Sequence, residues 1–286
     1  MEKKPEFGIR EYRPEDLPQM EALWETVFGD RPGFIRSFYT LLPRLGTAVV
    51  ADRNGEIAGM AHSLNCMELR VPDGRIVPCG YLYAVATAEK YRCLGLGARL
   101  SRAAEETAKA AGAESFCTSP AEPSLYAWYE RIMDLRPALY RRVCTLERSA
   151  APDGPAAVLQ KVTAEAYAAA AERALGGQPH MRLSQAGTEL LEMLCREYGG
   201  GLYLSGGVPA ACGRDGDILE LYELLCPPEQ IPEAAGRLLR SLPEEEGVRA
   251  VRYRVPCRPE AEGAEAYLAA KGCRIPPETL RCIVFE

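Results

Sequence analysis

The segment from Val85 to Ala98 constrains the fold most, because it places two glycines where a strand gives way to a helix. Arg92, Gly95 and Gly97 follow the pattern R-x-x-G-x-G within it. The first N–H groups of a helix have no partner inside the helix and carry partial positive charge, and glycines let a ligand approach the main chain closely. The junction therefore favours an anion, and a pyrophosphate would meet this need.

The sequence on either side of this junction predicts a strand, a helix and a second strand. Ile76 to Ala86 reads as the first strand, Gly95 to Ala111 as an amphipathic helix, and Ser115 to Thr118 as a short buried strand. Such a unit usually forms a parallel strand pair with a right-handed crossover. A dinucleotide-binding fingerprint, which would read G-x-G-x-x-G, is absent.

Hydrophobic periodicity and turn residues predict the elements around this unit. Asn54-Gly55 and Asp73-Gly74 are typical of tight hairpins, so we expect an antiparallel meander before the junction. The other predicted elements are strands at Phe7 to Tyr12, Thr47 to Ala51, Ile57 to Leu64 and Met67 to Val71, helices that open at Pro14 and Pro32, a helix from Pro123 to Met133, and a hairpin of Ala138 to Tyr140 with Val143 to Leu146.

The length and one Pro-rich and Gly-rich stretch predict two domains. A chain of 286 residues is long enough for two domains of roughly 100 to 150 residues. Ser149 to Pro155 lacks hydrophobic periodicity, so we place the boundary there and expect domains at 1–148 and 149–286. The predicted fold class is α/β (α+β), with a mixed, mainly antiparallel central sheet flanked by helices in each domain.

The second half repeats the order of elements of the first half. Its predicted elements are helices at Ala164 to Leu175 and Ser184 to Tyr198, a hairpin of Leu202 to Leu204 with Val208 to Cys212, a strand at Ile218 to Leu225 leading into a helix up to Leu242, a strand at Val248 to Val255, a helix at Ala261 to Lys271 and a last strand at Leu280 to Phe285. In place of the glycines, Pro227 and Pro228 lack N–H donors and Glu229 carries negative charge. We therefore expect no phosphate cradle in this half.

Charge and residue usage exclude several classes of protein. The formal net charge is −6, with acidic and basic residues interleaved, which argues against non-specific binding of nucleic acid and favours a cationic substrate. No secretory signal and no run of about 20 apolar residues is present, so we expect a cytoplasmic protein without membrane contact. Eleven cysteines without a C-x-x-C pair read as small buried hydrophobes, and two histidines without H-E-x-x-H predict no metal.

With Arg92, Gly95 and Gly97 between the predicted strand and helix, the chain resembles the GNAT acetyltransferase superfamily, whose coenzyme A loop reads Q/R-x-x-G-x-G/A after the fourth strand. The resemblance covers residues 7 to 148 and implies acetyl-CoA as co-substrate. It implies that the loop main chain binds the pyrophosphate and that the end of the preceding strand pairs with the pantetheine arm. The cofactor-binding residues so implied are Val85, Ala86, Thr87, Arg92, Cys93, Leu94, Gly95, Leu96, Gly97 and Ala98.

The same resemblance implies a catalytic tyrosine. The family often places one in a pattern like L-Y-E-x-x-G-F to protonate the departing thiolate, and Tyr129-Glu130 falls on that position. Met133-Asp134 stands where Gly-Phe is usual, so Tyr126, one helical turn earlier, is the alternative acid. Tyr81 occupies the position comparable to the Glu base of some members, so we expect a base that acts through water. His62 stays outside the catalytic set, as does Cys93, because direct transfer needs no acyl-enzyme.

The whole chain resembles tandem acetyltransferases of the enhanced-intracellular-survival type, in which an active N-terminal module precedes a degenerate one, here without the sterol-carrier-like domain. Tyr267 and Gly272 look like part of the family's last helix. In those proteins the carboxylate at the end of the chain can serve as the general base. For Glu286 we favour the interpretation that it is simply the end of an edge strand.

These features predict an acetyl-CoA-dependent N-acetyltransferase that transfers an acetyl group to a primary amine of a small molecule or peptide by direct attack. The alternative is a non-catalytic acyl-CoA-binding sensor or interaction protein. Aminoacyl transfer from tRNA is disfavoured by the acidic balance and the well-formed loop. We expect the acceptor pocket around Phe28 to Tyr39 and Leu64 to Pro78, and we leave a homo-oligomer open.

Overall fold

A computed structural model describes residues 6–151 and 155–273 together with residues 275, 276 and 279. The chain divides into two compact units. Among the described residues, the first unit comprises those up to Met67, Val77–Arg136 and Ala269–Cys273. The second comprises Glu68–Ile76, Pro137–Leu268 and the described residues after Cys273.

The first unit is built on a mixed sheet. Its strands are β1 (Gly8–Glu11), β2 (Gly46–Arg53), β3 (Glu56–Arg70), β4 (Ile76–Thr87) and β5 (Ser115–Thr118). They lie in chain order in the sheet. The pairs β1–β2 and β2–β3 are antiparallel and β4–β5 is parallel, as the strand-helix-strand pattern predicts.

Four helices flank this sheet: α1 (Leu17–Phe28), α2 (Pro32–Leu45), α3 (Leu96–Ala110) and α4 (Pro123–Met133). Helix α3 buries Leu96, Leu100, Ala104 and Ala108, which recur every four residues on one face. It packs so closely on β4 that a Cβ atom at Gly80 would lie 2.5 Å from the Cβ atom of Ala108. This close approach holds the helix that follows the glycine junction against the sheet.

The second unit also contains parallel and antiparallel strand pairs. Its strands are β6 (Arg136–Glu147), β7 (Leu159–Lys161), β8 (His180–Leu183), β9 (Gly201–Ser205), β10 (Val208–Asp215), β11 (Ile218–Leu224), β12 (Ala250–Cys257) and β13 (Glu265–Lys271), of which Arg136 and Ala269–Lys271 belong to the first unit. Six of them follow the order β6-β12-β11-β10-β9-β7, in which β11–β12 is the parallel pair. Its helices are α5 (Ala164–Leu175), α6 (Gln185–Glu197) and α7 (Ile231–Ser241).

Three predictions of local structure are wrong, and all three concern strands that long-range pairing extends or creates. Residues 57–64 and 67–71 were expected as separate strands but belong to the single strand β3. The hairpin expected at Ala138 to Tyr140 and Val143 to Leu146 is the continuous strand β6, because β12 pairs with it from Tyr140 to Glu147.

The helix expected at Ala261 to Lys271 is the third error. The segment contains β13, whose last residues Ala269–Lys271 pair antiparallel with β5. The Lys271 ammonium also lies 2.7 Å from Oε2 of Glu105 on α3, which anchors this strand end within the first unit. Sheet pairing thus overrides the helical propensity of an alanine-rich segment, and Tyr267 lies on a strand. The strand expected at Leu280 to Phe285, and Glu286, lie outside the described residues.

None of the helices in the part of the chain that the structure describes combines the length and the apolar character that a bilayer-spanning helix requires.

Candidate active site

The parallel strands β4 and β5 separate at the centre of the first unit. Their pairing runs from Cys79 opposite Ser115 to Tyr81 opposite Cys117. Strand β4 then continues to Thr87. Within this extension Ala84 has a φ angle of 44°, a left-handed conformation that non-glycine residues rarely adopt in a strand. The irregular backbone redirects β4 at the point where the two strands part.

The junction that follows β4 is anchored at its start and exposed beyond it. Tyr91, in a 3₁₀ turn, is buried, packs edge to face on Phe7 and donates a hydrogen bond to Oε2 of Glu56 over 2.9 Å. The next residues, Arg92, Cys93 and Leu94, are exposed. The anchored 3₁₀ turn thus supports a loop that faces solvent.

Two left-handed residues shape this loop. Cys93 has a φ angle of 63° and Gly95 one of 77°. Gly95 is the N-cap of α3 and makes no side-chain cap, and the first turn of the helix carries no acidic residue. The N–H groups of Leu96, Gly97 and Ala98 therefore face out of the helix end, where the helix dipole adds positive charge. The arrangement is suited to an anion.

The two glycines of the junction differ in backbone conformation and in packing. Gly95 has a backbone conformation that favours glycine whatever the ligand. Gly97 lies in regular helix, and a Cβ atom there would lie 3.5 Å from the Trp128 ring, an ordinary contact. Packing therefore does not require glycine at position 97, where an alanine would also fit.

Tyr129 lies on α4 with its hydroxyl at the end of β5. It is buried, with 7% of its surface exposed, and burial raises the pKa of its phenol to about 12, against the opposing effect of a hydrogen bond with the Thr118 side chain. The phenol therefore keeps its proton at neutral pH. Tyr126 is only half-buried. Helix α4 ends at Asp134, whose φ angle is 57°, so Asp134 rather than Met133 takes the conformation suited to glycine.

His62 lies in the buried core of the first unit and not at its surface. It is fully buried among aromatic rings, including Trp24 at 5.1 Å between centroids. Its Nδ1 atom lies 3.3 Å from the Tyr83 carbonyl oxygen and its Nε2 atom 3.2 Å from the Tyr39 hydroxyl. The consistent assignment has Nδ1–H donating to Tyr83 and Nε2 accepting from Tyr39. Burial lowers the pKa of His62 to about 4, so the ring is neutral.

The structure brings most of the predicted site residues to one region. Val85, Ala86 and Thr87 form the end of β4, the residues from Arg92 to Ala98 form the loop and first turn of α3, and Trp128 of α4 packs on Gly97. Tyr81 is buried and supplies no carboxylate. Within Phe28 to Tyr39, the side chains of Phe34, Ile35, Phe38 and Tyr39 belong to the buried core.

Sequence reasoning missed two features of this region. The first is the left-handed conformation of Ala84, because alanine is not a residue type that predicts a positive φ angle. The second is the environment of His62, which depends on Tyr39 and Tyr83 from elements distant in sequence. Residues 6–151 and 155–273 contain no group of three or more His, Cys, Asp or Glu side chains arranged to hold a metal ion.

Residues 8–130 match the family model described as the acetyltransferase (GNAT) domain. No match is found among curated protein sequences.

Solved structures resemble both units of the chain. A GCN5-related N-acetyltransferase from Kribbella flavida is 15% identical with a TM-score of 0.68, covering 93% of this chain and 70% of its own. A protein of Enterococcus faecalis V583 described as a probable N-acyltransferase is 12% identical with a TM-score of 0.70, covering 93% and 72%. Eis1 from Mycobacterium abscessus is 17% identical with a TM-score of 0.65, covering 92% and 73%. At these identities the likeness concerns the fold.

Proposed function

We propose that this chain, whose residues 8–130 match the acetyltransferase (GNAT) domain, is a GNAT-superfamily acyltransferase that transfers the acetyl group of acetyl-CoA to a primary amine by direct attack. The observation that carries the proposal is the exposed junction from Arg92 to Ala98 at the N-terminus of α3. It offers main-chain donors to a pyrophosphate. It follows the end of β4, which extends beyond the residues that pair with β5.

The proposed cofactor site follows from these two features. The N–H groups of Leu96, Gly97 and Ala98 bind the pyrophosphate oxygens, and the exposed Arg92 adds a positive charge. The main chain of Val85–Thr87 pairs with the amides of the pantetheine arm, because β4 extends beyond the residues that pair with β5.

In the proposed reaction the neutral amine attacks the thioester carbonyl carbon. The new C–N bond forms, the C–S bond breaks, and the leaving thiolate takes the phenolic proton of Tyr129. A main-chain N–H at the end of β4 donates to the tetrahedral oxyanion. The amine gives up its proton through water, and a proton from solvent restores the Tyr129 phenol. A phenol whose pKa is about 12 can hold its proton until the thiolate forms.

The general base proposed here is water rather than a side chain. Tyr81 has no carboxylate, and both ring nitrogens of His62 already bond to Tyr83 and Tyr39. His62 instead holds the carbonyl of Tyr83, next to the left-handed Ala84, in place. We assign it a positioning role for the redirected end of β4.

A non-catalytic acyl-CoA sensor is the second candidate function, favoured by Met133-Asp134 in place of Gly-Phe and by Tyr81 in place of a carboxylate. Thiol release from acetyl-CoA separates the two. We expect release that depends on an amine from a panel of spermidine, an aminoglycoside and a lysine peptide, and that falls in Tyr129→Phe. Tight acetyl-CoA binding without release by any of these amines would favour the sensor.

For the second half we propose a degenerate GNAT-like domain at 149–286 that does not bind coenzyme A. The support is the junction after β11, where Pro227 and Pro228 remove N–H donors and Glu229 adds negative charge. We also propose a cytoplasmic location and the possibility of a homo-oligomer.

A further inference from the structure

The second unit contains the same kind of strand separation as the first. Parallel pairing of β11 with β12 runs from Ile218 opposite Ala250 to Glu220 opposite Arg252. Strand β11 continues to Leu224, whereas β12 continues to Cys257 while paired with β6. An open cleft lies beside the diverging strands. The fold therefore provides a cleft at a place where the proline junction offers no phosphate cradle.

Two arginines hold fixed positions in the wall of this cleft. The Arg254 guanidinium lies 5.7 Å from the Tyr222 ring centroid, and the Arg141 guanidinium lies 5.2 Å from that of Tyr267. Their side chains are only 17% and 13% exposed. Stacking on aromatic rings fixes each planar cation. The Arg141 Nε also donates a hydrogen bond to Oε1 of Glu265 over 3.0 Å, so that guanidinium already has a carboxylate partner.

Arg254 keeps donors for a ligand. In the described ranges its hydrogen bonds come from Nη1, which donates to Oε2 of Glu220 over 3.1 Å and to the Leu221 carbonyl oxygen over 3.0 Å. A guanidinium has five N–H donors, so those on Nε and Nη2 remain. The fork geometry of such donors matches a carboxylate.

Apolar side chains form part of the cleft wall. The lining includes Leu175, Leu221, Leu224, Leu225, Ile231 and Pro256. The carboxylate in the wall, Glu223, is buried and accepts a hydrogen bond from the Tyr167 hydroxyl of α5 over 2.8 Å. A ligand that matches this lining has a negatively charged end and a hydrocarbon body.

We propose that the second unit binds a small carboxylate with an apolar body, its carboxylate on the remaining donors of Arg254 and its hydrocarbon part on the leucines of β11. The inference is independent of acetyl-CoA binding by the first unit. It gives the second unit a ligand of different chemistry at the equivalent place in its sheet.

The test uses the full chain and three probes: octanoate, acetate and octylamine. Calorimetry should detect octanoate, with acetate at least tenfold weaker and octylamine without measurable binding. Between hexanoate and octanoate, each added CH₂ should raise the affinity about fourfold. Equal affinity for octanoate and octylamine, or no octanoate binding at roughly 10 mM, would overturn the proposal.

Variants locate the site. Arg254→Met should weaken octanoate binding at least tenfold, whereas Arg249→Gln, whose side chain is 82% exposed and outside the cleft, should leave it unchanged. Cys226 gives a readout that requires no substitution, because it lines the cleft, whereas Cys93 lies on the exposed loop of the first unit. Octanoate should slow maleimide labelling of Cys226 and not of Cys93. Unchanged labelling of Cys226 at saturating octanoate would contradict this location.

Discussion

The hydroxyl of Thr118 donates a hydrogen bond to the main-chain oxygen of Leu82, 3.0 Å away. The bond lies one residue beyond Tyr81 and Cys117, the last paired positions of β4 and β5. The same Thr118 side chain bonds the Tyr129 hydroxyl. One threonine thus connects the point of strand separation with the proposed proton donor.

Substitutions at Gly97 test whether the N-terminus of α3 binds the pyrophosphate, and they should leave the fold unchanged. Asp is favoured in the first turn of a helix, so Gly97→Asp should keep or slightly raise the melting temperature. Its carboxylate would repel the pyrophosphate, and we expect acetyl-CoA binding at least 100-fold weaker by calorimetry. The control Gly97→Ala adds only an ordinary contact with Trp128 and should bind within about threefold of the original chain. Equal affinities of the Asp and Ala variants would place the pyrophosphate elsewhere.

Gly95 and Gly112 form a matched pair at opposite ends of α3. Both have positive φ angles, 77° and 95°, and neither has an atom within 4 Å of an added Cβ atom. Valine at either position should cost about 1–2 kcal/mol of unfolding free energy, measured by urea denaturation. Only Gly95→Val should lose acetyl-CoA binding. Comparable loss in Gly112→Val would mean that destabilisation, and not the loop, explains the effect.

Tyr129→Phe separates binding from chemistry. Loss of a general acid typically costs about 10²- to 10⁴-fold in kcat, and we expect that loss with an unchanged Kd for acetyl-CoA. Because the pKa of Tyr129 is raised to about 12, its titration should not lower kcat between about pH 7 and 10. Tyr126→Phe is the control and should retain activity. If instead Tyr126→Phe lost activity and Tyr129→Phe kept it, the acid would be reassigned to Tyr126.

His62 should make stability depend on pH. Its pKa is lowered from 6.5 to about 4, so the unfolded chain binds more protons than the folded chain between these values. This contribution is fully present above pH 6.5 and is lost as pH falls towards 4, by about 3 kcal/mol in total. Urea denaturation across this range should show a shallower pH dependence for His62→Gln than for His180→Gln. Identical slopes in the two variants would contradict the assignment of a neutral buried ring.

The glycine junction could be predicted from sequence because its signals are local. Gly95 and Gly97, the preceding strand pattern and the amphipathic helix all lie within adjacent segments, and the structure has the expected parallel pair of β4 and β5. The cofactor-binding and catalytic roles of these residues stay predictions. The fold class is confirmed, and residues 8–130 match the GNAT domain that the resemblance predicts.

Features that depend on distant partners could not be predicted. Strand β6 is continuous because β12 pairs with it, and the alanine-rich β13 becomes a strand where β5 is its neighbour. The cleft of the second unit likewise joins Arg141, Arg254 and Tyr267 from three strands. No local periodicity reports such pairings, which are decided by tertiary contacts.

Hydrogen exchange with and without acetyl-CoA tests the central claim most directly. The amides of residues 85–98 should exchange more slowly when acetyl-CoA is bound, because they donate to the pyrophosphate and the pantetheine arm. Residues 225–231, at the proline junction of the second unit, should exchange at the same rate in both states. No slowing at residues 85–98 under saturating acetyl-CoA, or slowing at residues 225–231 instead, would contradict the account.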